Sequence, residues 1–259
     1  METCNILKKT RRCPYKSDSR GLSFETLPPV LSVMRLLKVG RESGVCPYFL
    51  ARRLSEEAAV VVAPYQYIFN EAVRARVSLD LKGKTLIFDE AHNADKIGQE
   101  ALSDILSERG LNNARRELQL VDVPFTFIDD LREYLDDNVQ SEPVVKPGVE
   151  LRRDLEQLLE GDLERFVDSL RPVVDEIRTY KIKQNTFPIC YLNGVLNFLS
   201  LVGSGRSESY AAIYRRSPTG LSLVEYRCLD PSLALKPVIE EAYAALIMSV
   251  SYTHLRAHE

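Results

Sequence analysis

The chain lacks a membrane-length apolar run, an even set of cysteines and a phosphate-cradling glycine loop. Each absence removes a class of protein. No stretch approaches the ~18 consecutive apolar residues of a membrane span. Met1 to Arg20 is polar and basic with no apolar centre, so these residues are not expected to be a secretory signal. Cys4, Cys13, Cys46, Cys190 and Cys228 form an odd set, which argues against a disulfide framework. Gly-x-x-x-x-Gly-Lys-Ser/Thr occurs nowhere, and neither does an internal repeat or a low-complexity tract. A soluble intracellular protein is expected, cytoplasmic in a prokaryote or nuclear in a eukaryote.

What remains is ordinary globular composition: 259 residues, 45% hydrophobic and 27% charged, enough for one large domain or a few small ones. The formal net charge of −3 conceals an asymmetry. Met1 to Arg53 holds eleven Lys/Arg against four Asp/Glu, a balance of +7; Glu100 to Tyr180 holds ten against twenty, a balance of −10. A basic front suits phosphate and an acidic module does not, although two solvated faces of opposite sign would read the same way.

Along the chain, Val30 to Lys38 reads as a short amphipathic helix ended by Gly40 and Gly44, and Tyr48 to Ala58 as a helix entered through Pro47. Val60-Val61-Val62-Ala63 reads as a buried strand, Tyr65 to Ala75 as a helix, and Thr85 to Phe88 as a second buried strand. Two such strands around a helix suggest a parallel α/β sheet. From Ile97 to about Val202, apolar positions such as Leu151, Leu155, Leu158, Phe166, Val167, Leu170, Val174 and Ile177 recur at three and four, the helical period. Gly161 and Pro172 are expected to divide or kink that helical module, and Pro143 and Pro147-Gly148 to form a loop before it. Strand patterns return at Ala211 to Tyr214, Leu221 to Cys228 and the buried run Ala245 to Met248, with a helix over Ser232 to Ala244. The order α/β, α, α/β reads as a helical insertion inside one α/β domain.

Leu86-Ile87-Phe88-Asp89-Glu90-Ala91-His92-Asn93 carries the most chemistry. Paired carboxylates at the C-terminal end of a buried strand lie where open parallel sheets bind ligands. Unneutralised, they repel each other, and a divalent cation removes that penalty. Asp89 would then hold Mg²⁺ with a nucleotide, Glu90 would orient and deprotonate the attacking water, and His92 would relay the state of the γ-phosphate. Acidic residues also favour plain helix starts, so Asp-Glu alone decides little; the full strand with Asp-Glu-Ala-His-Asn decides more. Cys4, Cys13 and Cys46 share the basic front with Lys8, Lys9, Arg11, Arg12, Lys16 and Arg20, surroundings that favour thiolate. Eight and thirty-two intervening residues match neither zinc-finger nor bacterial ferredoxin spacing, so free thiols and metal ligands both stay open. Cys190 and Cys228 sit in apolar contexts and read as small buried hydrophobes.

Cys46-Pro47-Tyr48-Phe49-Leu50-Ala51-Arg52 resembles the last cysteine motif of the iron–sulfur domain in XPD-type helicases. Ala59 to Tyr67 is similar to the strand and helix start that follow, Leu86 to Asn93 to motif II, and Leu223 to Ser249 to the stretch leading into motif III. The likeness is closer to XPD and its archaeal relatives than to DinG-type helicases. It implies a partial RecA-like P-loop motor domain of α/β class, interrupted by an iron–sulfur insertion and an all-α arch insertion. The implied division is 1–57 iron–sulfur domain, 58–98 motor with motif II, 99–208 helical arch, 209–249 motor towards motif III, and 250–259 a non-native tail whose His254 and His258 carry no function. It also implies an iron–sulfur-containing superfamily 2 enzyme that couples Mg-ATP hydrolysis to 5′–3′ DNA unwinding in repair. Cys46, Cys13 and Cys4 would be ligands of a [4Fe–4S] cluster whose fourth ligand is absent from the sequence. Without a phosphate-binding loop or second motor domain, these residues alone are expected to be inactive. The alternative is a non-catalytic module that binds single-stranded or forked DNA through Arg11, Arg12, Tyr15, Lys16 and Arg20, with a protein partner at the arch and no membrane.

Overall fold

The computed structural model describes residues 4, 7, 13–15 and 27–250. The chain divides into two compact units, Met1–Ala91 with Pro237–Glu259, and His92–Lys236. No helix among the described residues is long and apolar enough to cross a membrane.

In the first unit, Val33–Ser43 (α1) begins where the Ser32 hydroxyl accepts the Arg35 N–H at 3.4 Å. Of the two glycines expected to end it, only Gly44 does, with φ 66° and its N–H turned back to Arg41 and Gly40. Gly40 lies inside the helix for a different reason. A Cβ there would come within 2.6 Å of the Pro47 ring and 2.8 Å of the Val45 carbonyl. Pro47–Glu57 (α2) follows, with Cys46 as its N-cap and Pro47 in the first turn, as expected. Tyr48 donates to the Arg76 carbonyl at 2.9 Å, and Arg52 donates to the Ser78 hydroxyl.

The expected helix after Tyr65 forms in two pieces, Gln66–Phe69 (α3) and Glu71–Val77 (α4). The break is Asn70, whose backbone is extended and whose side chain accepts the Val73 N–H at 3.0 Å. Thr85–Phe88 (β1) pairs in parallel with Ala244–Ile247 (β6), from Thr85 opposite Ala244 to Phe88 opposite Ile247. Two readings need correction. Val60–Ala63 is not a buried strand: it is unpaired, and Val62 is 95% exposed. The β6 run is a strand but all four of its residues are exposed. A β-branched run becomes a buried strand only where a ladder partner and a covering layer are supplied. In this unit the ladder is two strands wide, and of β1 only Phe88 is buried.

In the second unit, Ala94–Ala101 (α5) leads to Asp104–Ser107 (β2), then Glu108–Leu120 (α6), Thr126–Asn138 (α7), Val144–Pro147 (β3), Gly148–Leu158 (α8), Leu163–Lys183 (α9), Tyr191–Gly203 (α10), Tyr210–Arg216 (β4) and Ser222–Cys228 (β5). Ser232–Glu241 (α11) begins within it. The helices expected from three-four periodicity form. Periodicity gave no sign of β2 and β3, which four-residue pairing alone defines. The module is therefore not all-α. These strands join β4 and β5 in an antiparallel sheet of order β2-β5-β4-β3, so Tyr210 to Cys228 belongs with the helical module. Pro172 stays within an unbroken 21-residue α9, while Gly161 separates α8 from α9. Gly148 is required: a Cβ would lie 2.5 Å from the Ser207 carbonyl and 2.8 Å from Tyr210. Leu111, Leu118, Leu131, Leu151, Ile177, Phe198, Leu199, Tyr214 and Tyr226 are among the residues of one continuous core.

That core carries an alkaline limit. Burial, with the Glu117 charge beside it, pushes the Cys190 thiol from 9.0 up to about 11, and burial pushes the Tyr214 and Tyr226 phenols up to about 12. Each raised group stays protonated in the folded chain after its unfolded counterpart ionises. Its stabilisation is complete below pH 9 for the thiol and is lost as pH rises towards 11. Thermal melts from pH 8 to 11 should show the melting temperature falling from pH 9 upward, less steeply in Cys190→Ala. Parallel curves would show that this thiol contributes nothing.

Candidate nucleotide-hydrolysis site

The geometry at the end of β1 follows from the parallel ladder. Met248 N donates to the Phe88 carbonyl and Ala91 N to the Met248 carbonyl, each at 2.9 Å, so pairing continues past the last strand residues. Between these two bonds the chain makes a tight turn through Asp89 and Glu90, both exposed. Glu90 has φ 53°, the left-handed region that L side chains occupy at a cost of about 1–2 kcal/mol. The turn is held from several sides. Glu90 N donates to Asp89 Oδ1 at 3.0 Å, the Ser249 hydroxyl donates to Glu90 Oε2 at 3.2 Å, and the Tyr65 hydroxyl donates to the Asp89 carbonyl at 2.5 Å. Beneath it, Phe69 and Phe88 stack at 5.8 Å between centroids with planes 5° apart, and Tyr65 packs 5.5 Å from Phe69 and 5.8 Å from Phe88.

The paired carboxylates therefore emerge at the C-terminal end of a parallel strand, as their sequence context predicts. No cationic side chain pairs with Asp89 among the described residues. Exposed adjacent carboxylates are the donors that Mg²⁺ takes, with water and phosphate oxygens completing its shell, so the chemistry of this pair suits a magnesium–nucleotide site. His92 lies in the next turn, Ala91–Asn93, exposed, with Nε2 3.0 Å from Asn93 Nδ2.

Cys4, Cys13 and Cys46 are half-buried free thiols. Among the described residues, no group of three or more His, Cys, Asp or Glu side chains is gathered to hold a metal. As placed, the three thiols are not gathered into one site. Spacings this long set no local geometry of their own, and such sites seldom form ahead of their metal. Of the DNA contacts, Tyr15 is half-buried, while Arg11, Arg12, Lys16 and Arg20 lie outside the described residues. Cys228 is buried and its thiol donates to the Asp230 carbonyl at 3.2 Å; Cys190 is half-buried beside Glu117.

Two residues of the site went unread in the sequence. Ser249 stands two positions beyond β6, and its hydroxyl reaches Glu90 only because β6 pairs with β1. The alignment of the two strand ends was its signal. Tyr65 gave none beyond its place at a helix start.

Residues 1–111 match the DEAD_2 family model. The regulator of telomere elongation helicase 1 of Rattus norvegicus is 36% identical over 108 residues, 41% of this chain and 8% of that protein. Its Homo sapiens counterpart is 34% identical over 110 residues, 42% of this chain and 9% of that protein. The Fanconi anemia group J protein homolog of Gallus gallus is 40% identical over 86 residues, 33% of this chain and 7% of that protein. The chain thus spans less than a tenth of these relatives' length. Among solved structures, "XPD_Helicase" superposes with TM-score 0.58 at 21% identity, covering 91% of this chain and 39% of that one. "Truncated XPD" gives 0.55 at 19%, covering 91% and 62%. At such identities these two show the shared fold alone. Over residues 1–111 the chain is thus similar to the DEAD_2 family and to these helicases, and it shares the fold of the two XPD structures.

Proposed function

We propose that the chain supplies the motif II portion of an ATP-dependent DNA helicase that unwinds duplex DNA 5′ to 3′ during repair. The observation that carries this is the Asp89–Glu90 pair at the C-terminal end of β1, held by Ser249 beyond the end of β6. Asp89 would hold, through water, the magnesium ion that arrives with ATP, and that ion supplies positive charge where phosphate oxygens gain negative charge. Glu90 accepts a proton from the attacking water. The Ser249 hydroxyl fixes Oε2 of Glu90 against β6, so the base does not swing with solvent. His92, on the following turn, passes the presence or loss of the γ-phosphate to groups beyond it. DNA-stimulated phosphate release by the complete gene product tests the reading: Glu90→Gln should lower it by about 10²–10⁴-fold, and turnover near that of wild type overturns the assignment.

The resemblance also supports a [4Fe–4S] role for Cys46, with Cys13 and Cys4, whose thiols the cluster would draw together on binding. Anaerobic purification of the complete gene product should yield iron with matching acid-labile sulfide, lost in Cys46→Ser. Protein free of iron, or iron retained in that variant, refutes it.

A further inference from the structure

We propose that Tyr65 is a positioning residue for the Asp89–Glu90 pair, acting by fixing the peptide bond that joins them. This rests on the magnesium–nucleotide reading of those carboxylates and adds a residue to it. Tyr65 is the N-cap of α3, 24 residues upstream of Asp89. Its hydroxyl donates to the Asp89 carbonyl oxygen at 2.5 Å. The N–H of the same peptide unit, on Glu90, donates to Asp89 Oδ1 at 3.0 Å. A peptide unit is planar, so bonds at its oxygen and its nitrogen fix one rotation. That rotation sets ψ of Asp89 and φ of Glu90 together. It thereby sets the direction in which each carboxylate leaves the backbone.

The hold is needed because Glu90 sits at φ 53°. A free peptide would turn to relieve that conformation and carry Oδ1 of Asp89 and the Glu90 side chain with it. The Tyr65 ring cannot follow such a turn. It packs 5.5 Å from Phe69 and 5.8 Å from Phe88, and both of those rings are buried. The hydroxyl is thus a donor fixed by the core under β1 and aimed at the one carbonyl that separates the two acidic residues. A metal-holding carboxylate depends on such outer partners, whose loss costs about 10–100-fold in metal affinity.

The test uses this chain and Mn²⁺ alone as the probe, followed by the electron paramagnetic resonance signal of the free ion. Tyr65→Phe keeps the ring and removes the donor. It should weaken Mn²⁺ binding about tenfold with the melting temperature unchanged, and hydrogen exchange at the Glu90 amide should quicken. Tyr65→Leu should lose melting temperature as well, which separates packing from positioning. Wild-type Mn²⁺ affinity and wild-type Glu90 exchange in Tyr65→Phe would overturn the proposal. So would weakened binding that only accompanies a fall in melting temperature. If Asp89→Asn leaves Mn²⁺ binding untouched, the metal reading itself fails. Glu90 amide exchange in Tyr65→Phe then decides the role of Tyr65 by itself, faster exchange supporting it and unchanged exchange refuting it.

Discussion

Glu90→Gln should lower DNA-stimulated ATP turnover by about 10²–10⁴-fold, the range that a positioned general base contributes. The amide is the same size as the carboxylate and can still accept the Ser249 hydroxyl, which lies 3.2 Å from Oε2. The turn, its left-handed backbone and the ladder beneath it therefore survive. What is lost is a group that can take a proton at neutral pH. The deficit should fall on kcat, with KM for ATP little changed, because the interaction removed is made in the transition state. Phosphate release with saturating single-stranded DNA checks the rate, and a thermal melt checks the fold. Turnover within about threefold of wild type would remove Glu90 from the chemistry. A rise in KM with kcat unchanged would instead assign it to ground-state binding.

That prediction uses what was legible in the sequence. Leu86-Ile87-Phe88 ending in Asp89-Glu90 identified a strand terminus with paired acids, because strand propensity and adjacent charge are local properties. The supports were not legible. Tyr65 and Ser249 meet the pair through packing and strand pairing, at separations of 24 and 159 residues from the groups they touch. Nothing local to a tyrosine at a helix start or a serine after a strand announces such contacts. The cysteines illustrate the reverse case. Their motif context was readable at Cys46, yet spacing without gathered geometry does not make a site, and the described thiols are not gathered.

The fold divides in the same way. Three-four periodicity located α6 to α10, whereas two of their caps went unread: Ser107 accepts from Gly110 N, and Asp162 from Arg165 N. Apolar run length was a poorer guide. Val60 to Ala63 has strand composition and no ladder, whereas Asp104 to Ser107 and Val144 to Pro147 have modest composition and pair fully with β5 and β4. Strand identity in these cases is conferred by the partner. Pro172 shows that a breaker signal can also be absorbed, since α9 continues through it for 21 residues.

Glu117→Ala should destabilise the second unit by about 3–5 kcal/mol, the cost of leaving one member of a buried ion pair without its partner. The Glu117 side chain is 4% exposed and that of Lys181 15%, with Oε1 and Nζ 2.5 Å apart. The carboxylate does a second task. α10 begins at Tyr191 with no side-chain cap of its own, and Oε2 of Glu117 accepts the Leu192 N–H at 2.9 Å. A residue of α6 thus caps a helix seventy-five positions away, with its charge at the positive end of that helix. Lys181 completes the clamp by donating to the Ile189 carbonyl at 2.6 Å, which ties the loop between α9 and α10 to both. Alanine removes the acceptor for Lys181 and for Leu192 together, beneath the most apolar helix of the core, so the melting temperature should fall by about 10 °C. Glu117→Gln keeps a cap acceptor and should cost less. Glu117→Leu with Lys181→Met removes both charges and should recover much of the loss, because the desolvation of the pair disappears with it. Urea unfolding followed by near-ultraviolet circular dichroism reports the three variants. A single alanine variant as stable as wild type, or a double variant worse than either single one, would show that the pair does not hold these helices.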